Sequence, residues 1–357
     1  MSERMIAGAG PEVSVIIPAH NAASLLPSCL ESVFRSKGVS FEVILVNDAS
    51  TDDTERIARE FSCRVISLKN NIMSANCRNL GAEHALGEIL VFFDADQVME
   101  PGTLRAYVDT LKEYPEVDAV VGSLAPHTPM PGFFSKFKNF QHHYTHQTAD
   151  REGATLDSGR LAFRRRAFEE LGGFEPAFSH ASIEDIALGY RMRRQGRRIR
   201  FEPTIQVTHL KRYTLGQMVR SDIFHRAIPW AGLMLRERVF RNDLNTRSSN
   251  VGSVILAWLI SPSMIAGLIG WVSGWWMAAA AIVLIWFLNR SFLSGCRHQF
   301  GWWFAVRAAL FLPLMYFYHG VGLVAGVFAY LLGASIAGER EAPVVDYQVI
   351  EPGTVDP

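Results

Sequence analysis

The sequence predicts an α/β domain with a mixed, mainly parallel sheet, followed by a C-terminal α-helical membrane region. Three observations carry this prediction. Between residue 13 and about residue 120, short apolar runs alternate with segments of helical spacing. One of those runs, Ile89–Phe93, ends in two carboxylates one residue apart, Asp94 and Asp96, with Ala95 between them. After Asn250 the chain is almost wholly apolar.

The elements follow in order. "VSVIIPA" reads as a buried strand, and Leu25, Leu26, Cys29, Leu30, Val33 and Phe34 then repeat at helical spacing. "FEVILVND" is a second strand. "TDDTERIAREF" opens with Thr and Asp capping residues and first-turn acids, as a helix start does; Asp52 and Asp53 are the capping candidates. "CRVISL" is a third strand, "SANCRNLGAEHALG" a helix closed by Gly87, and "EILVFFDAD" a fourth strand. Strands alternating with helices imply parallel βαβ units, whose ligands bind at the carboxyl ends of the strands. Asn47-Asp48 and Asp94-Ala95-Asp96 both stand at such ends. Further along, "RRAFEELGGFEPAF" is a short helix stopped by Gly172-Gly173. "SIEDIALGYRMRRQG" is a helix with acids first and arginines last, as the helix dipole favours, and "RIRFEPTIQVTHL" is extended.

The formal net charge is zero, but from Arg191 to Arg247 there are 14 Lys/Arg against 4 Asp/Glu. This basic block precedes the apolar tail and is either a surface for anionic headgroups or phosphates, or a solvated helix face. Four scattered cysteines, without CxxC or metal-like spacing, fit reduced thiols in a cytosolic compartment. "MSERMIAGAGPEVSV" has no signal-peptide apolar region, so the α/β part is expected to stay in the cytoplasm. No nucleic-acid partner is expected.

In the next stretch Leu215, Met218, Val219 and Ile223 form an apolar face opposite Gln217, Arg220 and Asp222, broken by Pro229-Trp230. It is either an interfacial helix or one packed on the domain. "VGSVILAWLISPSMIAGLIGWV" is long enough to span a bilayer, and "WWMAAAAIVLIWFL" follows as a return span. The basic "NRSFLSGCRHQF" and "RERVFRNDLNTR" place both hairpin ends in the cytoplasm. In "GWWFAVRAALFLPLMYFYHGVGLVAGVFAYLL" the first part lies at the interface and the part after Pro313 forms a third span, while Trp271, Trp275, Trp276, Trp302 and Trp303 sit where interface anchors belong.

Two carboxylates at i and i+2 on the lip of a strand can reach one divalent cation, Mg²⁺ or Mn²⁺, that keeps positions open for phosphate oxygens. Asp-rich turns after strands are also common in proteins without this role. Five segments in order narrow the choice: "VSVIIPAHN", "VILVNDASTDDT", "CRNLGAEHALGEILVFFDAD", "SGRLAFRRRAFEELGGF" and "IEDIALGYRMRRQG". Together, over about residues 12–212, the chain resembles the family 2 glycosyltransferases. The resemblance implies a GT-A fold and metal-assisted transfer of a sugar from a UDP- or GDP-sugar, with inversion. By it, Pro18, His20 and Asn21 line the nucleotide base and Asp48 hydrogen-bonds it. Where the family has P-x-Y-N-E, this chain has His20 and then Ala22. Arg78 is implied near the nucleotide; its other reading is a surface cation paired with Glu83 or nearby acids. Asp94, Ala95 and Asp96 match the metal-binding motif, and Ser158-Gly159 match the turn near the acceptor. Asp185, beside Glu184, matches the proposed catalytic base; helix N-terminal charge compensation is the alternative for both acids. His209 is either a group near metal and diphosphate or a structural histidine. Lys211 and Arg212 can neutralise the diphosphate. Arg226 and Trp230 only partly match the Q-x-x-R-W motif of processive synthases, so processivity is not expected.

The expected organisation is a catalytic domain over 1–212 (nucleotide-sugar side about 12–120, acceptor side about 121–212), a basic amphipathic segment over 213–250, membrane helices over 251–333 and a polar tail over 334–357. The expected acceptor is membrane-associated, a lipid-linked saccharide or glycolipid, on the cytoplasmic face of a cell membrane. Synthases of polyprenyl-phosphate sugars, the nearest alternative, usually read D-A-D-L-Q where this chain reads "DADQV". A non-catalytic nucleotide-sugar-binding membrane protein would lack an essential acid, and Asp48, Asp94, Asp96 and Asp185 are all present. A nucleotidyltransferase would need a glycine-rich loop after the first strand, where "PAHNAASLLP" has none.

Overall fold

The computed structural model describes residues 10–153, 155–176, 183–238, 247–333 and 345–353. The readings placed on "MSERMIAGA", on most of "RERVFRNDLNTR" and on most of the polar tail lie outside those residues. The chain divides into two compact units, Met1–Ser123 with Arg151–Leu210 and Arg340–Pro357, and Leu124–Asp150 with Lys211–Glu339.

In chain order the first unit opens with β1 (Val13–Ala19), α1 (Leu26–Phe34), β2 (Phe41–Asn47), α2 (Thr54–Arg59), β3 (Arg64–Leu68), α3 (Met73–Glu83), β4 (Ile89–Phe93), β5 (Gln97–Met99), α4 (Thr103–Glu113) and β6 (Ala119–Leu124). Helix α5 (Phe133–Gln147) belongs to the second unit. The chain then adds β7 (Arg160–Arg164), α6 (Arg165–Glu170), α7 (Glu184–Arg194) and β8 (Ile199–His209) to the first. β1 pairs in parallel with β2 and β4, and β2 with β3. β7 runs antiparallel to β4 and β6, and β5 antiparallel to β8, so the sheet is mixed around a parallel centre. Strands buried on both faces read as continuous Val/Ile/Leu runs, which is why β1, β2 and β4 are legible.

Helix α3 lies close against this sheet. A Cβ at Gly81 would come within 2.5 Å of the Ile16 side chain, so glycine sets the approach. α3 ends at Glu83, earlier than expected. Gly87 lies beyond it, where a Cβ would meet the Ser14 backbone at 2.7 Å; it is a close-packing position and not a helix stop.

The second unit holds α5, α8 (Leu215–Arg220), a π-helical turn (Ser221–Ala227), α9 (Ile228–Glu237), α10 (Ser248–Leu268), α11 (Val272–Leu288), α12 (Arg290–Phe300) and α13 (Trp302–Leu331). Pro229-Trp230 does not break the amphipathic helix. Pro229 sits at the start of α9, which directly follows the π-helical turn, and Trp230 is buried. The π turn adds a residue to the helical period, and Asp222, expected on the polar face, is buried. α13 continues through Pro313, so no break separates an interfacial part from a third span. α10 and α13 are long and apolar enough to cross a membrane; α11 with α12, bent by 66°, makes a third span if taken as one. The five tryptophans read as anchors are all exposed. The last strand, β9 (Tyr347–Ile350), pairs antiparallel with β3 in the first unit, within the tail read as simply polar.

Candidate active site

The sheet brings distant motifs to the end of β4. β4 and β7 pair with Phe93 opposite Arg160, which sets Gly159 beside Asp94; the Asp94 N–H donates to the Gly159 carbonyl at 3.3 Å. A Cβ on Gly159 would lie 2.4 Å from Asp94 Oδ2 and 2.7 Å from Gln97 Nε2, so a larger residue there would displace those two side chains. β5 and β8 pair with Gln97 opposite His209, which brings His209 Nε2 within 3.3 Å of Asp96 Oδ2. Ala95 is buried between the two acids.

Arg78 is no surface cation. It is 4 % exposed, and its guanidinium donates to Asp94 Oδ1 at 2.7 Å and to Glu184 Oε1 at 3.1 Å. Burial works against its charge, but the Asp94 and Glu184 carboxylates outweigh that and raise its pKa. Glu184, also buried, therefore partners an arginine as well as standing in the first turn of α7. Asp185 follows it. Asp185 Oδ2 accepts the Ser158 N–H at 3.1 Å, which ties the start of α7 to the Ser158-Gly159 turn. Burial and the negative charges of Glu184 and Asp157 raise the Asp185 pKa to about 8, against the pull of the Ser158 N–H and Arg78.

A second group lies where β1 and β2 end. Pro18 is the β1 residue paired with Val46. His20 Nδ1 hydrogen-bonds the Asp48 carbonyl at 2.7 Å, and Asn21 Oδ1 accepts the Thr51 N–H at 2.9 Å. Asp48 is buried and accepts from the Ile72 and Met73 N–H groups at 2.7 and 3.1 Å, which caps α3. Burial raises the Asp48 pKa, opposed by these two N–H groups. Asn21, Ala49 and Met73 have φ of 49°, 53° and 72°, left-handed conformations that non-glycine residues rarely adopt and that cluster at functional sites. Asp52 accepts from the Thr54 N–H and Ala23 N–H, as a local cap; Asp53 instead pairs with Arg56.

Lys211, Arg212, Arg226 and Trp230 belong to the second unit. Lys211 and Arg212 are exposed and directly follow β8 in the chain, while Arg226 contacts His142 Nε2 at 3.2 Å. Two side chains at the first-unit site escaped the sequence reading. Asp157 pairs with Arg160 and adds charge beside Asp185, and Gln97 contacts Gly159 and Arg160. Both directly follow or precede a motif, in "DADQ" and "DSGR", which is the signal that pointed to them.

The donor set at the end of β4 fits a hard divalent cation. Carboxylate oxygens with one imidazole suit Mg²⁺ or Mn²⁺, and donor atoms about 3 Å apart suit ligands bound at about 2.1 Å. Asp96 and His209 meet that spacing. Asp94 gives one oxygen to Arg78, and among the described residues no three His, Cys, Asp or Glu side chains are gathered as a metal cluster.

The family model for Glycosyl transferase family 2 matches residues 14–172. EpsE of Bacillus subtilis (strain 168) is 28% identical over 207 residues, 52% of this chain and 68% of the relative. A PGL/p-HBAD biosynthesis glycosyltransferase of Mycobacterium bovis (strain BCG / Pasteur 1173P2) is 31% identical over 163 residues, 44% of this chain and 56% of the relative. Among solved structures, the mannosyltransferase PcManGT of Pyrobaculum calidifontis, in complex with GDP-Man and Mn²⁺, covers 91% of this chain and 88% of its own at 19% identity, with a TM-score of 0.51. That last likeness is one of fold. The matched segment contains β1 to β4 and the Asp94-Ala95-Asp96 and Ser158-Gly159 motifs, and over it the chain carries a glycosyl transferase family 2 domain, with a GT-A fold.

Proposed function

We propose that this glycosyltransferase moves a sugar from a UDP- or GDP-sugar to a membrane-associated acceptor, a lipid-linked saccharide or glycolipid, with inversion. The observation that carries the reading is the bridge from buried Arg78 to Asp94 and to buried Glu184, with Asp185 beside it. It joins the metal motif, the nucleotide-side helix and the proposed base into one charge network. A helix that needed only acids at its N-terminus has no use for a buried arginine from another helix.

In this reading, the strained rim around His20, Asn21 and Asp48 receives the nucleotide base. Asp96 and His209, with Asp94, would hold Mg²⁺ or Mn²⁺, which when bound neutralises the diphosphate as it leaves. Arg78 fixes the Asp94 carboxylate. Asp185 takes the proton from the acceptor hydroxyl as that oxygen attacks the anomeric carbon opposite the diphosphate. A raised pKa suits this task, since a base near neutrality both ionises and accepts a proton readily. A single in-line displacement turns an α-linked donor into a β-linked product.

Support for the membrane acceptor comes from α10, α13 and the basic block preceding α10. The Mn²⁺ bound by the solved structure of similar fold is in keeping with a metal. The test is incubation of membranes carrying the protein with radiolabelled nucleotide-sugars, followed by lipid extraction and anomer analysis of the product. Label transferred to the organic phase with inverted configuration is expected. Retained configuration would remove the mechanism, and label appearing only on water-soluble acceptors would remove the acceptor class.

A further inference from the structure

We propose that the helical unit carries a binding pocket for the phosphate headgroup of an anionic lipid, built around Arg247. The inference rests on the membrane reading of α10 and α11, but not on the catalytic one. A cavity of about 80 Å³ opens between α5, the start of α10, the end of α11 and the middle of α13. A buried water needs only about 10–15 Å³ on the same measure, so the space admits a group of several heavy atoms.

Its lining separates by chemistry. One part is polar: Thr145, Arg247, Asn250, Asn289 and Tyr316. The other is apolar: Leu288, Phe292, Leu312 and Met315. Among the described lining residues Arg247 is the single charged side chain, and none is a carboxylate. Thr148 fixes its guanidinium, accepting one hydrogen bond at Oγ1 (2.7 Å) and another at its carbonyl. Behind it lies a buried amide network: Tyr316 Oη donates to Asn289 Oδ1 at 2.7 Å, and Asn289 Nδ2 donates to Ser253 Oγ at 3.0 Å. Amides of this kind hydrogen-bond neighbouring helices together, so the polar side of the pocket is held in place.

The electrostatics favour an anion. α10 starts at Ser248, so its positive dipole end adds to Arg247. The opposing carbonyl end of α11 is met by Arg290, which donates to the Phe287 carbonyl at 3.1 Å. A positive, planar donor beside an apolar wall suits a phosphate ester that carries chains better than free phosphate. By the positive-inside rule the arginines at this end of the hairpin are expected at the cytoplasmic leaflet, where anionic lipids lie.

The test uses the full-length protein in a neutral detergent, with dioctanoyl phosphatidic acid as probe. Dioctanoyl phosphatidylcholine and inorganic phosphate serve as controls, and binding is read by thermal shift. Saturable stabilisation by phosphatidic acid alone is expected. Arg247→Gln should weaken it about tenfold or more, the loss of charged hydrogen bonds, and Arg247→Lys should weaken it less. Equal binding by Arg247→Gln, or inorganic phosphate binding as tightly as the lipid, would overturn the proposal. Should Arg247→Gln not fold, a photoactivatable phosphatidic acid on the unaltered protein decides. Crosslinks at Tyr144, Phe292 or Met315 support the pocket, and crosslinks scattered over the outer helix faces refute it. Carbonate extraction tests the membrane reading separately.

Discussion

Asp185 is held by two opposed effects, and that makes its titration informative. Burial and two neighbouring acids favour its neutral form, while the Ser158 N–H and Arg78 favour the carboxylate. Because a base works only when ionised, turnover should rise with pH on a limb that levels off above about 8. Asp185→Asn should abolish that limb and cost about 10²–10⁴-fold in kcat, with nucleotide-sugar affinity nearly unchanged. Near-normal turnover in this variant would take Asp185 out of the mechanism. Stability supplies an independent reading. With the folded pKa raised, the unfolded chain ionises first, the native state holds the extra proton, and stability falls as pH rises from about 4 towards about 8. Asp185→Asn should flatten that fall in thermal unfolding. Gly159→Ala makes a sharper structural test. Its Cβ would push the Asp94 carboxylate aside, so activity should drop sharply while the fold persists; full activity would mean that this turn is not part of the site. The identities of Asp94, Asp96, Gly159 and Asp185 are legible in the sequence because each stands in a motif. The bridge made by Arg78 is not, because the choice of a buried partner depends on how α3 and α7 converge, and no local spacing encodes that.

At the scale of elements, the π turn in the second unit has the clearest energetic consequence. It turns Asp222 into the helical unit, where Lys138 Nζ lies 2.6 Å from Oδ1 and Tyr318 Oη donates to Oδ2 at 3.1 Å. Burial would raise the Asp222 pKa, but Lys138 and His319 hold it far below the usual carboxylate range. Its contribution is therefore present above the unfolded value, about 4, and is lost as pH falls below it. Removing one partner of a buried pair leaves an uncompensated charge, so Lys138→Met should cost about 3–5 kcal/mol of stability. Lys138→Met combined with Asp222→Asn should recover much of that. Urea unfolding in mild detergent measures both, and a single variant as stable as the parent would show that the pair is not buried in solution. Neither residue stands out in the sequence, because a period of 3.6 residues places Asp222 on the polar face and only the inserted residue turns it inward. Helix α5 escaped for another reason. Its Phe133, Phe137, Phe140 and Tyr144 keep helical spacing, but histidines and two lysines between them mask it. The rings pack on Phe292, Phe304 and Phe311 from α12 and α13.

For the molecule as a whole, the apolar tail and the α/β half were each legible, since long apolar runs and strand–helix alternation are local signals. Their interleaving was not. Residues 124–150 leave the first unit between β6 and β7 to join the helices, and β9 returns from beyond α13 to pair with β3. This changes what truncation should do. A chain cut near Asn250 has the composition of a soluble α/β enzyme. It would nonetheless keep α5 and lose α12 and α13, leaving Phe133, Phe137 and Phe140 with few of their ring partners. It would also lose β9 and expose the β3 edge, with the Lys69–Asp346 and Arg64–Glu351 ion pairs. Exposed aromatic faces and open strand edges both promote association. The truncated chain should therefore aggregate or need detergent, although it carries no membrane helix. Full-length protein should resist carbonate extraction, as α10 and α13 require. Size-exclusion chromatography decides the first outcome. A monodisperse, detergent-free monomer ending at Asn250 would show that α5 finds other cover, and that the two units depend on each other less than their interleaved chain implies.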